Sequence, residues 1–405
     1  MRSGCWTFWP KPTVASSGNL SHSLRLGLVA GEASGDLLAG LLLDGVRQRW
    51  PQFQAQGIGG PAMAQRGFEA WWPQEKLAVR GYVEVLPRLP ELLRIRRQLG
   101  ERWLAQKPDV FVGVDAPDFN LDLEIRLRQA GVPTVHFVSP SFWAWRANKV
   151  EKLKAAADHV LCLFPFEPEL LQARGVAATF VGHPLANLIP LAPDQAAARH
   201  RLGLPADARV IALLPGSRQA EIQHLAGRFF ATAKCLQERD ADLHFVLPTL
   251  PSFKNDLLAI ARDQGIPLGQ DPRWILLDGQ GQSHVALAAC DLTLIASGTA
   301  TLEAALFKRP MVIAYRMPWL TWQLQKNQRL QPWVGLPNIL LQTFAVPEWL
   351  QDEATPENMA RSMQVWLDEP ERVAALQARF VTLHQALQCD TAQRATDVID
   401  QIRAR

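Results

Sequence analysis

Several short loops in this 405-residue chain carry residue types that can do chemistry. DAPDFN (Asp115–Asn120) follows the apolar run VFVGV, so Asp115 stands at the C-terminal end of a strand. A carboxylate placed there can take a proton from an attacking hydroxyl, a contribution of roughly 100- to 10,000-fold in rate. Asp118 is its rival, either as a second carboxylate at the site or as a helix cap. LLPGSRQAEI (Leu213–Ile222) sets Gly-Ser-Arg between a strand and a helix. Glycine lets backbone approach a phosphate, and the helix start offers N–H groups and a positive dipole end. Arg218 adds a fixed fork of donors. The bland alternative is an ordinary turn with Ser217 as its N-cap.

ASGTATLEAAL (Ala296–Leu306) repeats the arrangement with Ser297, Gly298 and Thr299 after the run LTLI. Glu303 follows one turn inside, where it can accept hydrogen bonds from a ribose diol or simply face water. Two anion-type loops in one half of the chain make a nucleotide diphosphate the economical ligand. Asn338 in GLPNIL either contacts that nucleotide or its sugar, or caps a helix. GEASGD (Gly31–Asp36) resembles a phosphate loop, but Glu32 and Asp36 would repel an anion. Gly31, Glu32 and Ser34 are therefore read as shaping a sugar site or contacting its hydroxyls. In SPSFWAWR (Ser139–Arg146), Trp143, Trp145 and Arg146 can line a sugar or acyl site, or be core. His183 lies at a proline-marked joint, where a lone histidine is more often structural than catalytic.

No metal site is expected. The only D-x-D is Asp240-Ala241-Asp242, in a polar turn leading into a strand. Cations and helix dipoles are expected to stabilise a leaving diphosphate instead. Five cysteines are scattered without a CxxC pair, which suits a reducing compartment and excludes a cysteine zinc site of ordinary spacing. No cofactor is implied.

The elements that must position these loops alternate strand and helix from end to end, the pattern of parallel sheets covered on both faces. Strands are expected at Leu24–Ala30, Phe53–Ile58, Val110–Asp115, Thr134–Val138, Val160–Leu163 and Thr179–Val181. After a proline-rich joint at His183–Pro193, further strands are expected at Arg209–Leu214, Leu243–Leu247, Trp274–Leu277, Leu292–Ile295 and Met311–Ala314. The fold class is α/β, with two Rossmann-like domains facing across a cleft and ligands at the strand C-termini. Residues 1–22 are expected to be a disordered leader, or the product of a start codon placed too early. Residues 23–190 and 191–370 are the two domains. Residues 371–405 are terminal helices that pack on the first domain or on a partner.

Composition is ordinary for a globular protein, 48% hydrophobic and 20% charged, and the net charge of +3 argues for no nucleic-acid partner. Tryptophan is unusual: 14 Trp stand against 2 Tyr. No apolar run approaches the ~20 residues of a membrane span. Leu92, Ile95, Leu99 and Trp103 lie on one helical face, with Arg94, Arg96, Arg97 and Arg102 around it. That pattern suits the surface of an anionic bilayer, or a core-facing helix with a solvated charged side. Met317–Trp333, with three Trp and two Lys/Arg, is a second candidate.

Taken in order, VAGEASGD, VGVDAPDFN, HFVSPSFWAWR, LLPGSRQAEI, ASGTATLE and LPNIL closely resemble the lipid-A-disaccharide synthases, from about Leu24 to the C-terminus. The resemblance implies a glycosyltransferase-B fold and an inverting, metal-independent transfer. In it, 2,3-diacylglucosamine passes from UDP-2,3-diacylglucosamine to 2,3-diacylglucosamine 1-phosphate, giving a β-1,6-linked disaccharide 1-phosphate and UDP. It places the base at Asp115 and UDP-site motifs at Ser217, Arg218, Ser297, Gly298, Thr299, Glu303 and Asn338. It also implies a cytoplasmic, peripheral place on the inner face of the inner membrane, and admits a homodimer through the C-terminal helices. Two rival readings share these loops. One is a UDP-N-acetylglucosamine 2-epimerase-like enzyme, which leaves the Trp- and Arg-rich segment without a purpose. The other is a non-catalytic, UDP-sugar-binding protein of the membrane surface.

Overall fold

The computed structural model describes residues 23–77, 82–141, 149–317 and 331–404. The leader, Trp143, Trp145, Arg146 and most of the segment Met317–Trp333 lie outside the described residues.

The chain forms β1 (Leu24–Ala30), β2 (Phe53–Gly59), β3 (Phe68–Pro73), β4 (Val110–Val114), β5 (Thr134–Phe137), β6 (His159–Cys162) and β7 (Ala178–Phe180). It continues with β8 (Val210–Leu214), β9 (His244–Thr249), β10 (Trp274–Asp278), β11 (Leu292–Ala296), β12 (Met311–Tyr315) and β13 (Glu348–Leu350). The first seven make one sheet, in the order β3-β2-β1-β4-β5-β6-β7, and the rest a second, β10-β9-β8-β11-β12-β13. The pairings are parallel throughout. Strands buried on both faces read as unbroken apolar runs, and VFVGV, VIALL and LTLIA are buried at every position. Two edge strands give no such signal: β3 (FEAWWP) is half exposed, and β13 has three residues, none fully buried.

In each sheet the strand order reverses once, between β1 and β4 and between β8 and β11. A crevice opens at such a point, outside the C-terminal strand ends. The turn after β1 is GEASGD and the turn after β4 begins at Asp115; Gly-Ser-Arg follows β8, and Ser-Gly-Thr follows β11. The topology thus brings these four motif loops to the two crevices.

Helix Tyr82–Ala105 settles one alternative. Ile95, Leu99 and Trp103 are buried in a cluster with Phe111, Leu123 and Leu127, so the apolar stripe faces core rather than a bilayer. Trp103 packs edge-on to Phe111 at 5.0 Å, and Arg102 lies over the Trp71 ring at 3.7 Å. Arg96 is tied to Asp122 at 2.6 Å. A different face is exposed: Leu89 and Leu93, with Arg88, Arg94 and Arg97. No helix among the described residues is long and apolar enough to cross a membrane.

The chain's end crosses back. Helix Pro370–Leu387 gives Leu376, Phe380, Leu383 and Leu387 to the core of the second sheet. Helix Thr391–Arg403 instead gives Ala395, Val398, Ile399 and Ile402 to the first, against helix Ala33–Arg49. Each of these Leu, Ile, Val and Phe side chains contributes about 1.5–3 kcal/mol on burial. Arg49 reaches Asp397 at 2.5 Å and Asp400 at 3.4 Å. Two chain segments therefore pass side by side between the sheets, held by His183 N–H donating to Leu387 O and Asn187 Nδ2 donating to Cys389 O.

Candidate functional site

A cavity of about 1300 Å³ lies between the two sheets. Asp115, Ser34 and Val138 open onto it from the first sheet, and Gly298, Thr299 and Glu303 from the second. Its wall is largely apolar, with Leu37, Leu38 and Leu41 from helix Ala33–Arg49 and Leu185 and Leu188 from the joint. A second cavity of about 390 Å³ adjoins it and shares Gly298, Thr299 and Glu303. Ser217, Arg218, Glu221, Thr249, Gly279, Gln282 and Ser297 line that smaller space.

Asp115 directly follows β4 in a left-handed conformation, φ 52°, and Ala116 comes next at φ 43°. Its N–H donates to Phe137 O at 2.8 Å, and its carbonyl accepts from Asn120 Nδ2 at 2.8 Å. Such backbone is costly for an L-residue and concentrates at working sites. Asp118 is exposed, on the first turn of helix Pro117–Gln129.

Around GEASGD, Gly31 is buried, Glu32 is exposed at the N-cap of helix Ala33–Arg49, and Ser34 faces the cavity. Asp36 does not threaten an anion there. It is buried, with its carboxylate accepting from Gly60, Ala62 and Met63 N–H groups at 2.8–3.0 Å. Its charge is spent on starting helix Pro61–Ala64.

In the second domain the two anion-type loops differ. The N–H groups of Ser217 and Arg218 already donate to the Glu221 carboxylate, at 2.9 and 3.3 Å, so that loop caps its own helix. This corrects the expectation of free amides there. What the loop presents is the Arg218 guanidinium, 72% exposed and only 3.4 Å-paired with Glu221. Helix Thr299–Leu306 is the open one, with no side chain capping it at Gly298. Gly298 is extended, and a Cβ built on it would meet nothing within 4 Å among the described residues. The fold itself therefore does not require glycine there; close approach of a ligand would. Ser297 donates its hydroxyl to Val334 O at 3.0 Å, and Glu303 is held 3.4 Å from His284 Nε2.

Asn338 is not at the surface of either cavity. It is fully buried, donating Nδ2 to Val346 O and Glu348 Oε1 and accepting Val346 N–H. The expectation that it touches nucleotide or sugar is thus corrected to a role in fixing the loop behind Ile339, which does line the cavity. His183 lines the same cavity but is buried against Phe164 at 5.6 Å. Burial lowers its pKa from 6.5 to about 4, so it is neutral at physiological pH, accepting Leu185 N–H on Nδ1. Asp240 and Asp242 precede β9, at the opposite end from the strand-end loops, and Asp240 is paired with Arg209.

Thr249, Gly279 and Gln282 escaped the sequence reading. They carry no motif, and only their place at the C-terminal end of β9 and just after β10, in the same crevice, marks them.

The family model described as lipid-A-disaccharide synthetase matches residues 26–400. The lipid-A-disaccharide synthase of Albidiferax ferrireducens is 57% identical over 95% of this chain and 98% of its own. That of Verminephrobacter eiseniae is 56% identical over 94% and 98%. Among solved structures, UDP-GlcNAc 2-epimerase of Neisseria meningitidis bound to UDP-GlcNAc superposes with TM-score 0.59 at 11% identity, covering 94% of this chain and 99% of that one. The glycotransferase of kitacinnamycin superposes with TM-score 0.58 at 17% identity, covering 94% and 99%. The structural likenesses spread over epimerases and transferases alike and speak for the glycosyltransferase-B fold alone. The sequence likeness, running nearly end to end at more than half identity, separates the two: the chain belongs to the lipid-A-disaccharide synthase family of glycosyltransferases.

Proposed function

We propose that this enzyme joins UDP-2,3-diacylglucosamine to 2,3-diacylglucosamine 1-phosphate with inversion, using Asp115 as the general base. The observation that carries the reading is one cavity bordered by a strand-end carboxylate, an uncapped helix N-terminus and an apolar wall. The smaller cavity suits the UDP moiety, with Gly298 and Thr299 under the diphosphate, Arg218 above it and Glu303 beside the ribose. The larger one suits the sugars, with Leu37, Leu41 and Leu188 beside their acyl chains.

Asp115 takes the proton of the acceptor 6-hydroxyl as its oxygen attacks the donor anomeric carbon. The bond from that carbon to the diphosphate breaks as the new one forms, so one displacement inverts the centre. The negative charge arriving on the diphosphate meets the helix dipole and Arg218, the kind of preorganised stabilisation worth about 3–4 kcal/mol per donor. No metal is needed for these steps. Ser34 on the cavity wall, with the exposed Glu32 two residues before it, is our proposed contact for sugar hydroxyls at the mouth.

The exposed face of helix Tyr82–Ala105, with Leu89, Leu93, Arg88, Arg94 and Arg97, suits an anionic bilayer on the cytoplasmic side of the inner membrane. The test of the base is Asp115→Asn: kcat should fall by roughly 100-fold or more with UDP affinity kept. Retained turnover would remove Asp115 from that role.

A further inference from the structure

Beneath Asp115 lies a buried polar cluster that the transfer chemistry does not use. The ends of β4 and β5 are both strained, with φ of 52° at Asp115, 43° at Ala116 and 81° at Val138. Valine is among the least tolerant residues of that conformation, and such strain persists only where surroundings over-determine it. Asn120 is fully buried and donates Nδ2 to Asp115 O at 2.8 Å and Val114 O at 3.4 Å.

One turn along the same helix, Glu124 is fully buried with Oε1 2.8 Å from Nδ1 of the equally buried His136. His136 is the register partner of Gly113 across β4 and β5. A Cβ on Gly113 would sit 2.0 Å from Glu124 Oε1 and 3.0 Å from Asn120 Cβ. The strand glycine, the pair and the asparagine are therefore one packed unit. Asn120 Oδ1, Glu124 Oε2 and His136 Nε2 have no partner among the described residues. Each unmade bond costs about 1–3 kcal/mol, so apolar packing here would be the more stable arrangement. Burial pushes the Glu124 carboxyl up, with His136 opposing it.

We infer that Glu124 and His136 are positioning residues for Asp115. By clamping helix Pro117–Gln129 to β5 they fix Asn120, and through Asn120 the left-handed turn that presents the Asp115 carboxylate to the cavity. The inference rests on the reading of Asp115 as the base.

Glu124→Leu and Glu124→Gln in the full-length enzyme test it, with kcat, both KM values and UDP affinity measured. Glu124→Leu should lower kcat roughly 10- to 100-fold, the effect of a small misplacement, while KM and UDP affinity stay within about twofold. Glu124→Gln keeps an acceptor for His136 and should recover kcat to within about threefold of wild type. Unchanged kcat in folded Glu124→Leu would overturn the inference, as would equal losses of UDP affinity and kcat. If Glu124→Leu does not fold, Asn120→Ala decides: it should show the same kcat-only loss, and a loss of UDP affinity instead would overturn the inference. The two ideas fail separately. An active Asp115→Asn variant removes the base itself; an inactive one beside fully active Glu124→Leu and Asn120→Ala removes only the clamp.

Discussion

Replacing Gly298 by alanine separates what the fold requires from what the ligand requires. The new methyl group would meet nothing within 4 Å among the described residues, and the backbone is extended, so neither clash nor strain from them opposes it. Alanine is a poorer N-cap than glycine, a loss of about 0.5–1 kcal/mol, partly offset by about 0.4–1 kcal/mol from a less flexible unfolded chain. The net change should lie within about 1 kcal/mol, or about 2–4 °C in Tm for a domain of this size. Binding should behave differently. The methyl points into the space shared by the two cavities, where the diphosphate is proposed to rest on the helix start. Losing one hydrogen bond to a charged group costs about 1.5–3 kcal/mol, so UDP should bind roughly 10- to 150-fold more weakly. Differential scanning fluorimetry and UDP titration calorimetry measure the two halves. UDP affinity within about twofold of wild type would place the diphosphate elsewhere. A large fall in Tm would mean that the fold, not the ligand, demands glycine.

Three further outcomes follow from the same structure. Asn338→Leu strands Val346 N–H and Val346 O and removes one donor from Glu348 Oε1, and should cost about 2–5 kcal/mol in urea unfolding; a stable variant with selectively weakened UDP binding would return Asn338 to the site. His183 binds a proton near pH 4 when folded and near 6.5 when unfolded, so the unfolded state gains protons first as pH falls and stability drops through that window. Between pH 7 and 5 the wild type should lose about 2 kcal/mol more than His183→Gln, and parallel pH profiles of the two proteins would show that His183 is not the group responsible. Replacing Arg88, Arg94 and Arg97 by glutamate should weaken binding to anionic vesicles by about 1 kcal/mol per arginine lost, with only a small fall in Tm from the Arg97–Glu101 pair, and unchanged partitioning would assign membrane contact to another surface.

Much of this arrangement was legible in the chain because parallel strands buried on both sides must be apolar and uninterrupted. VFVGV, VIALL and LTLIA announce themselves, and the loops that follow them are where polar chemistry stands out. Edge strands β3 and β13 escaped for the same reason, being covered on fewer sides. Hydrogen-bond commitments were not legible. Asp36, Asn338 and Glu221 are polar residues in motif loops, and nothing in their spacing reveals that backbone groups already satisfy them. The apolar stripe of helix Tyr82–Ala105 has the spacing of either a bilayer face or a core face, and only packing against Phe111 and Leu123 decides it. The Glu124–His136 pair was invisible because its partners lie on a helix and a neighbouring strand, joined by register rather than by motif.

The most direct test of the whole account is UDP release by the purified enzyme from UDP-2,3-diacylglucosamine in mixed micelles containing EDTA, with and without 2,3-diacylglucosamine 1-phosphate. UDP release that depends on the acceptor and survives EDTA is the predicted result. Release restored only by magnesium would contradict the diphosphate site built from Arg218 and the Gly298 helix, and absence of acceptor-dependent release under both conditions would contradict the proposed transfer itself.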